Sequence, residues 1–481
     1  MATAPAAFSI GAELRLNAWT GQASPVDTMA AARVAAWAMQ RHSGGAGLDA
    51  AAAAPQEVQP WNWQDPQVGW GLVLADDPNL HPGKRAMADD APEPIRCLWH
   101  ARPNSPVLRW SAADGNEVLL RYDANGGVKK CSLVSDYGTA PDRIPRFLLI
   151  AASPQKVPWS FQYAANLRRY VGRLDGPEDG LDRYVDALLA GWPGSARDVR
   201  APLVWSVDHG GNDITWLMDQ AISRKLFDAY ANDGDADFPR RIGLFGAEAT
   251  GTRLLAELSA KKPALVVTTS HGMTGPLHDA VLAKAQLGVP VDHGRQLLDL
   301  EALDAAWQPD GAVWYSHACC AAGSDARSQY EGLFEPTGDV MRTLDGVAAV
   351  CGARIAPLPQ RLLGHAKPLA AFIGHVEPTF NWTLRDPRTG QPLAHPVRQA
   401  LYDGLFAAGG GRPVGWALSR VFDDAATLLA LWAQAVRNFN KGLPGALESA
   451  LVNQITALDR QHTVLLGCPT ATLPTLASTA R

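Results

Sequence analysis

From residue 145 onward, short apolar runs alternate with stretches of helical period. Residues 146–152, 170–174, 202–207, 241–245, 264–269, 312–315, 347–353 and 369–375 are apolar runs of strand length. Between them, residues 179–190 place Leu181, Tyr184, Val185, Leu188 and Leu189 on one face, and 213–230, 250–258 and 277–286 read as further helices. Apolar strands separated by helices predict a mainly parallel sheet covered on both faces, an α/β fold. Residues 386–460 turn helical, with 396–408, 416–440 and 443–457 as the segments. A last run, 462–466, then ends in Gly467-Cys468-Pro469 and is expected to return to the sheet.

The first 140 residues follow another pattern. Residues 26–40 carry Met29, Val34, Trp37 and Met39 behind Asp27 as a cap, which predicts a helix. Residues 44–60 form a bridge rich in Ala, Gly and Pro. Residues 68–74 are strand-like and 78–94 are polar and loop-like. Residues 107–110 and 117–122 alternate around an Asp114-Gly115 turn, which signals a hairpin. The expected organisation is a β-rich accessory unit over 1–140, an α/β core over 141–385, and a helical extension over 386–481 whose final strand rejoins the core.

Composition narrows the function classes. The 481 residues are 47% hydrophobic and 19% charged, enough for a large core; this length suggests roughly two to four units. A formal net charge of −5 gives no electrostatic case for nucleic acid or a membrane surface. No window reaches the ~18 consecutive apolar residues of a membrane span. The N-terminal M-A-T-A-P-A-A-F-S-I lacks a charged segment followed by an apolar core, so no signal peptide is expected. Cys97, Cys131, Cys319, Cys320, Cys351 and Cys468 are sparse and unevenly spaced, which fits a reducing compartment; a cytoplasmic location is expected.

Two of the apolar runs end in reactive side chains. Residues 264–269 lead into Ser270-His271-Gly272, and 312–315 into Ser316-His317-Ala318-Cys319-Cys320. The C-terminal edge of a parallel sheet is where open α/β folds place ligands. A cysteine nucleophile needs a partner for its thiolate and N–H donors for the developing oxyanion. His271 can supply the first, and the backbone N–H groups of Gly272 and Cys319 the second. His271 and Cys319 lie 48 residues apart, room for one crossover between neighbouring parallel strands. Adjacent strand residues point to opposite faces, so only one of Cys319 and Cys320 can face the histidine.

With H-A-C-C-A at 317–321 and S-H-G at 270–272, the chain resembles the caspase-like clan of cysteine peptidases. The caspase signature Q-A-C-x-G has its histidine about fifty residues upstream. The clan includes caspases, metacaspases, separase, gingipains and the bacterial CHAT proteins. The strand 147–150 followed by Tyr170-Val171-Gly172-Arg173-Leu174, and the late Leu465-Leu466-Gly467-Cys468-Pro469-Thr470, look closest to the gingipain and CHAT branches. The resemblance runs from residue 145 to the C-terminus. It implies a caspase-like fold and a bacterial, intracellular cysteine endopeptidase acting on a protein or peptide. His271 would be the catalytic histidine, Cys319 the nucleophile, Gly272 and Cys319 the oxyanion hole, and Cys320 a core residue beneath. No cofactor is implied. Three positions depart from the pattern: His317 stands where caspases have glutamine, Ala321 where glycine is expected, and Cys468 where an aspartate is usual.

The run 202–207 ends at Asp208. In such a fold this strand also reaches the cleft, and a carboxylate there would select Arg or Lys at P1 through a bidentate ion pair. The competing reading is that Asp208 caps the turn after it. His317 and Asp325 are further S1 candidates, Glu331 is a rival acid, and His209 could tune the thiolate. His271, His317, Cys319 and Cys320 fit no common zinc spacing, so no metal is expected. No G-x-S-x-G nucleophile elbow is present. The loop 323–336 is a candidate maturation site by analogy only, and residues 1–140 are a candidate surface for a regulatory protein partner. The alternative to a peptidase is a catalytically silent caspase-fold interaction or scaffold protein.

Overall fold

The computed structural model describes residues 13–30, 33–42, 58–406 and 411–476. Twelve strands form one sheet: β1 Trp70–Ala75, β2 Val107–Trp110, β3 Val118–Tyr122, β4 Val128–Ser132, β5 Phe147–Ile150, β6 Tyr170–Arg173, β7 Leu203–Ser206, β8 Ile242–Phe245, β9 Leu265–Thr269, β10 Val313–His317, β11 Ala371–His375 and β12 Thr463–Gly467. Their spatial order is β8-β7-β9-β10-β11-β12-β6-β5-β1-β2-β3-β4. Strands β8, β7, β9, β10 and β11 are mutually parallel. Strand β12 is antiparallel to β11 and parallel to β6, beyond which β5, β1 and β2 continue in the same sense. Antiparallel β3 and β4 close the far edge. The sheet is therefore two parallel halves of opposite polarity, joined at the β11–β12 pair.

Every residue of β5, β9, β10, β11 and β12 is buried, as continuous apolar runs require when both faces are covered. Alternate residues go to opposite faces. Val266, Trp314, Phe372 and Leu466 enter one core, while Val267, Tyr315, Ile373 and Leu465 enter the other. This is the mainly parallel α/β sheet flanked by helices that the sequence predicts. Strand β12 slots tightly between β11 and β6: a Cβ on Gly172 would lie 2.2 Å from the Gly467 carbonyl oxygen. Among the described residues no helix is long and apolar enough to cross a membrane.

Several local expectations change. Strand β1 pairs directly with β5, so the sheet runs unbroken across the boundary drawn at residue 140. Main-chain pairing fixed that, and it leaves no mark in the composition. The run 347–353 is the end of the helix Asp339–Cys351, because Val340, Met341, Leu344, Val347 and Cys351 bury one helical face. Over 26–40, Val26–Thr28 is a strand paired with Glu13–Arg15, and the helix is confined to Val34–Met39. The polar 78–94 stretch contains the helix Pro82–Ala86 and the start of Glu93–His100. Most of the bridge expected at 44–60 lies outside the described residues. Leu466→Ala, at a fully buried central-strand position, should cost roughly 2–5 kcal/mol in urea unfolding.

Candidate active site

Strands β9 and β10 are neighbours in register, with Thr269 opposite His317. The ladder continues one step further, where Ser270 N–H donates to the His317 carbonyl at 3.3 Å. His271 and Cys319 each lie two residues past these paired ends, so the topology delivers both to the same edge. A Cβ on Gly272 would come within 2.0 Å of the Cys319 carbonyl oxygen. Only glycine permits that approach. After Cys319 the chain turns sharply, with Cys320 in the left-handed region at φ 56°.

The backbone donors converge. Gly272 N–H and Cys319 N–H both donate to the carbonyl oxygen of Asn17, at 3.0 and 3.4 Å. These are the two groups nominated from sequence for an oxyanion, and they meet at one point.

His271 is fully buried. Its Nε2 lies 2.9 Å from Asp213 Oδ2, and its Nδ1 has no hydrogen-bond partner. Asp213 is itself anchored: its Oδ1 accepts from Thr215 N–H at 2.8 Å and from the Thr215 hydroxyl at 2.6 Å, capping the helix Ile214–Met218. Burial pushes the Asp213 carboxyl up, but the hydrogen bond and charge of His271, with the Thr215 donors, outweigh it and hold the group well below the usual carboxylate range. His209 stacks on His271 with ring centroids 5.7 Å apart. Burial, then the neighbouring His271, pushes His209 down. Asp213 was not among the sequence candidates. It begins the predicted 213–230 helix two residues after the Gly210-Gly211 loop, and the capping pattern D-x-T was the available signal.

Cys319 and Cys320 are both buried, and their Sγ atoms lie 3.5 Å apart. The Cys319 hydrogen bond and burial together push the Cys320 thiol far up. Among the described residues no hydrogen bond joins Cys319 to His271. Both cysteines belong to an apolar cluster that includes Leu14, Leu16, Ala18 and Tyr330.

Each nominated pocket residue has a partner of its own. Asp208 is half-buried, and its Oδ1 accepts from Gly210 N–H at 2.8 Å, capping its own turn. His317 is fully buried below the edge; its Nδ1 shares a 2.7 Å hydrogen bond with the Tyr315 hydroxyl and its ring meets His375 at 4.5 Å. Burial keeps it neutral by pushing its pKa far down. Asp325 Oδ1 accepts from Ala326 N–H at 2.7 Å, and burial pushes its carboxyl up. Glu331 pairs with exposed Arg327. Strand β10 extends two residues beyond the apolar run, carrying His317 into the core rather than into a cleft.

Beneath the loop after Cys320 sits Glu377, accepting from the Ser328 hydroxyl at 3.0 Å and Gln329 N–H at 3.1 Å. Burial pushes this carboxyl up to about 8. His209, Asp213 and His271 each offer one ligand atom within 4.8 Å of the others, the one described trio that could hold a metal ion.

No protein-family model matches the chain, and no curated protein matches it in sequence. Among solved structures it is similar to the complex of Porphyromonas gingivalis RgpB pro- and mature domains, at 10% identity and a TM-score of 0.40, over 84% of this chain and 80% of that one. That likeness is too distant to transfer residues or an activity.

Gly272→Ala should lower the melting temperature, read by scanning calorimetry; an unchanged value would mean the two backbones do not touch. Glu377 gives a pH signature. A carboxyl that titrates near 8 when folded and near the usual carboxylate value when unfolded holds more protons in the folded state between those values. Its contribution to stability therefore falls as pH rises from about 4 to about 8 and is level above. Glu377→Gln should remove that decline in urea midpoints measured across the range.

Proposed function

We propose that the chain is a caspase-like cysteine endopeptidase working through a thioester acyl-enzyme. The observation that carries the reading is the convergence of Gly272 N–H and Cys319 N–H on one carbonyl oxygen, beside a histidine whose far nitrogen is held by a carboxylate.

With Nε2 engaged by Asp213, the free Nδ1 of His271 is the atom that takes the Cys319 proton. The thiolate then attacks a peptide carbonyl, and the tetrahedral oxyanion accepts from Gly272 and Cys319 N–H. His271 returns the proton to the leaving amine, so the C–N bond breaks as the thioester forms. A water, deprotonated by His271, attacks the thioester, releases the acid and restores the thiol. Asp213 is a positioning residue that fixes the ring and stabilises the imidazolium. Cys319 Sγ must rotate from its place beside Cys320 to reach His271. This chemistry calls on no metal or organic cofactor.

For P1, Asp208 accepts from Gly210 N–H within its own loop and Asp213 is committed to His271 and Thr215, so neither is proposed as the partner of an Arg or Lys side chain. The silent-scaffold reading has one observation in its favour: Cys319 is fully buried and unbonded to His271.

Cys319→Ala should abolish hydrolysis of a P1-randomised peptide library and labelling by a peptidyl chloromethyl ketone, while Cys320→Ser retains both. His271→Ala should cost roughly 10²–10⁴-fold in kcat, and Asp213→Asn less, with a shifted pH profile. Full activity in Cys319→Ala would sink the assignment.

A further inference from the structure

Residues 14–16 and 18–19 are extended on either side of a bend at Asn17 and run along the site. We infer that they occupy its peptide seat, with Asn17 in the place of the residue whose carbonyl is attacked, and that the seat takes an extended polypeptide with a neutral carboxamide side chain at that position. The inference rests on the peptidase reading above.

The main chain of the segment is held on both sides of Asn17, as a bound peptide strand would be. On the N-terminal side, Leu16 bridges antiparallel to Phe380, and Asn17 N–H donates to the Thr379 carbonyl at 3.3 Å. On the other side, Ala18–Trp19 pairs in parallel with Gly272–Met273. Thr274 donates to the Trp19 carbonyl from both its N–H, at 2.9 Å, and its hydroxyl, at 3.1 Å. Between these two sets of bonds, the Asn17 carbonyl takes both proposed oxyanion donors. Backbone bonds of this kind are indifferent to sequence, so an incoming chain could use the same partners.

The side-chain pocket is selective. Asn17 is fully buried. Its Oδ1 accepts from Thr379 N–H at 2.9 Å, and its Nδ2 donates to Met218 Sδ at 3.9 Å. One N–H donor and one thioether suit a carboxamide, which carries both an acceptor and a donor. The neighbouring acid on the same helical stretch, Asp219, is taken by Ser206 and Arg224. A guanidinium placed here would meet a donor and find no free carboxylate among the contacts of Asn17. The adjoining Trp19 ring covers His271, with centroids 6.0 Å apart.

While the segment is seated, Cys319 is sealed and its oxyanion donors are satisfied. Substrate and segment are therefore alternatives. The test uses the full chain carrying Leu16→Glu and Ala18→Glu, which put carboxylates at two fully buried positions of the segment. Iodoacetamide labelling of Cys319, followed by mass spectrometry, should be about tenfold faster or more than in the wild type, because a buried thiol is inert and an exposed one reacts. A synthetic peptide of residues 13–20 should slow the labelling again, and the same peptide with arginine in place of Asn17 should not. Equal rates in wild type and variant overturn the inference. So does fast labelling that the peptide leaves unchanged in a variant whose circular dichroism and urea midpoint match those of the wild type. Protection by the peptide with no hydrolysis of asparagine-containing peptides by the variant upholds the seat and defeats the peptidase reading instead.

Discussion

The contact between the backbones of Gly272 and Cys319 is the constraint on which the site depends. Two parallel strands in register bring their ends level, but level ends alone leave their N–H groups aimed at nothing shared. The missing side chain at Gly272 lets the chain past β9 lie directly against the chain past β10. That closeness turns two N–H vectors toward one point. A polar pair aimed this way, in surroundings shielded from water, is worth far more to a developing charge than the same pair in solvent. Beside this contact the His271 ring is held by the Asp213 carboxylate.

Below that edge the core is unusually polar. His317, His375, Asp459, Arg460 and His462 are buried together behind the strand ends. Asp459 accepts from the Thr379 hydroxyl at 2.6 Å, and Arg460 reaches the Thr383 and Leu393 carbonyls at 3.2 and 2.9 Å. Asp459, Arg460 and His462 come from the end of one helix, Ala446–His462, which leads straight into β12. The segment carrying Thr379 is thus tied to the last helix of the sheet's crossover. The network is only partly satisfied, since His317 Nε2, His375 Nδ1 and His462 Nε2 have no hydrogen-bond partner; the bonds of Asp459 and Arg460 are what hold the loops it supports.

The sheet was largely legible because its strands are apolar on both faces and short. The boundaries of β5 to β12 fall within two residues of the apolar runs. Periodicity failed where its two readings coincide: residues 347–353 are apolar at both strand and helix spacing, and only the burial of Val340 and Met341 a turn or two earlier decides for a helix. The His271–Cys319 edge was visible as a pair of strand ends. Asp213 was not, because a helix cap and a histidine partner look alike in sequence. Asn17 left no signal in the sequence, since its contact with Gly272 and Cys319 is made by its backbone carbonyl. His317 misled because an apolar strand that continues through a histidine shows no break to mark where its side chain turns inward.

The reversal of polarity at β11 and β12 bears on how the chain reaches its fold. Strand β12 occupies the middle of the sheet, yet it is the last strand of the described chain to be synthesised. Until it arrives, β11 and β6 each present an open edge of unpaired N–H and C=O groups flanked by apolar side chains. Such edges recruit strands from other molecules, and long-range pairings of this kind form late. The keystone position of Thr463–Gly467 makes nascent and truncated forms of this chain natural clients for chaperones, whatever chemistry the finished molecule performs.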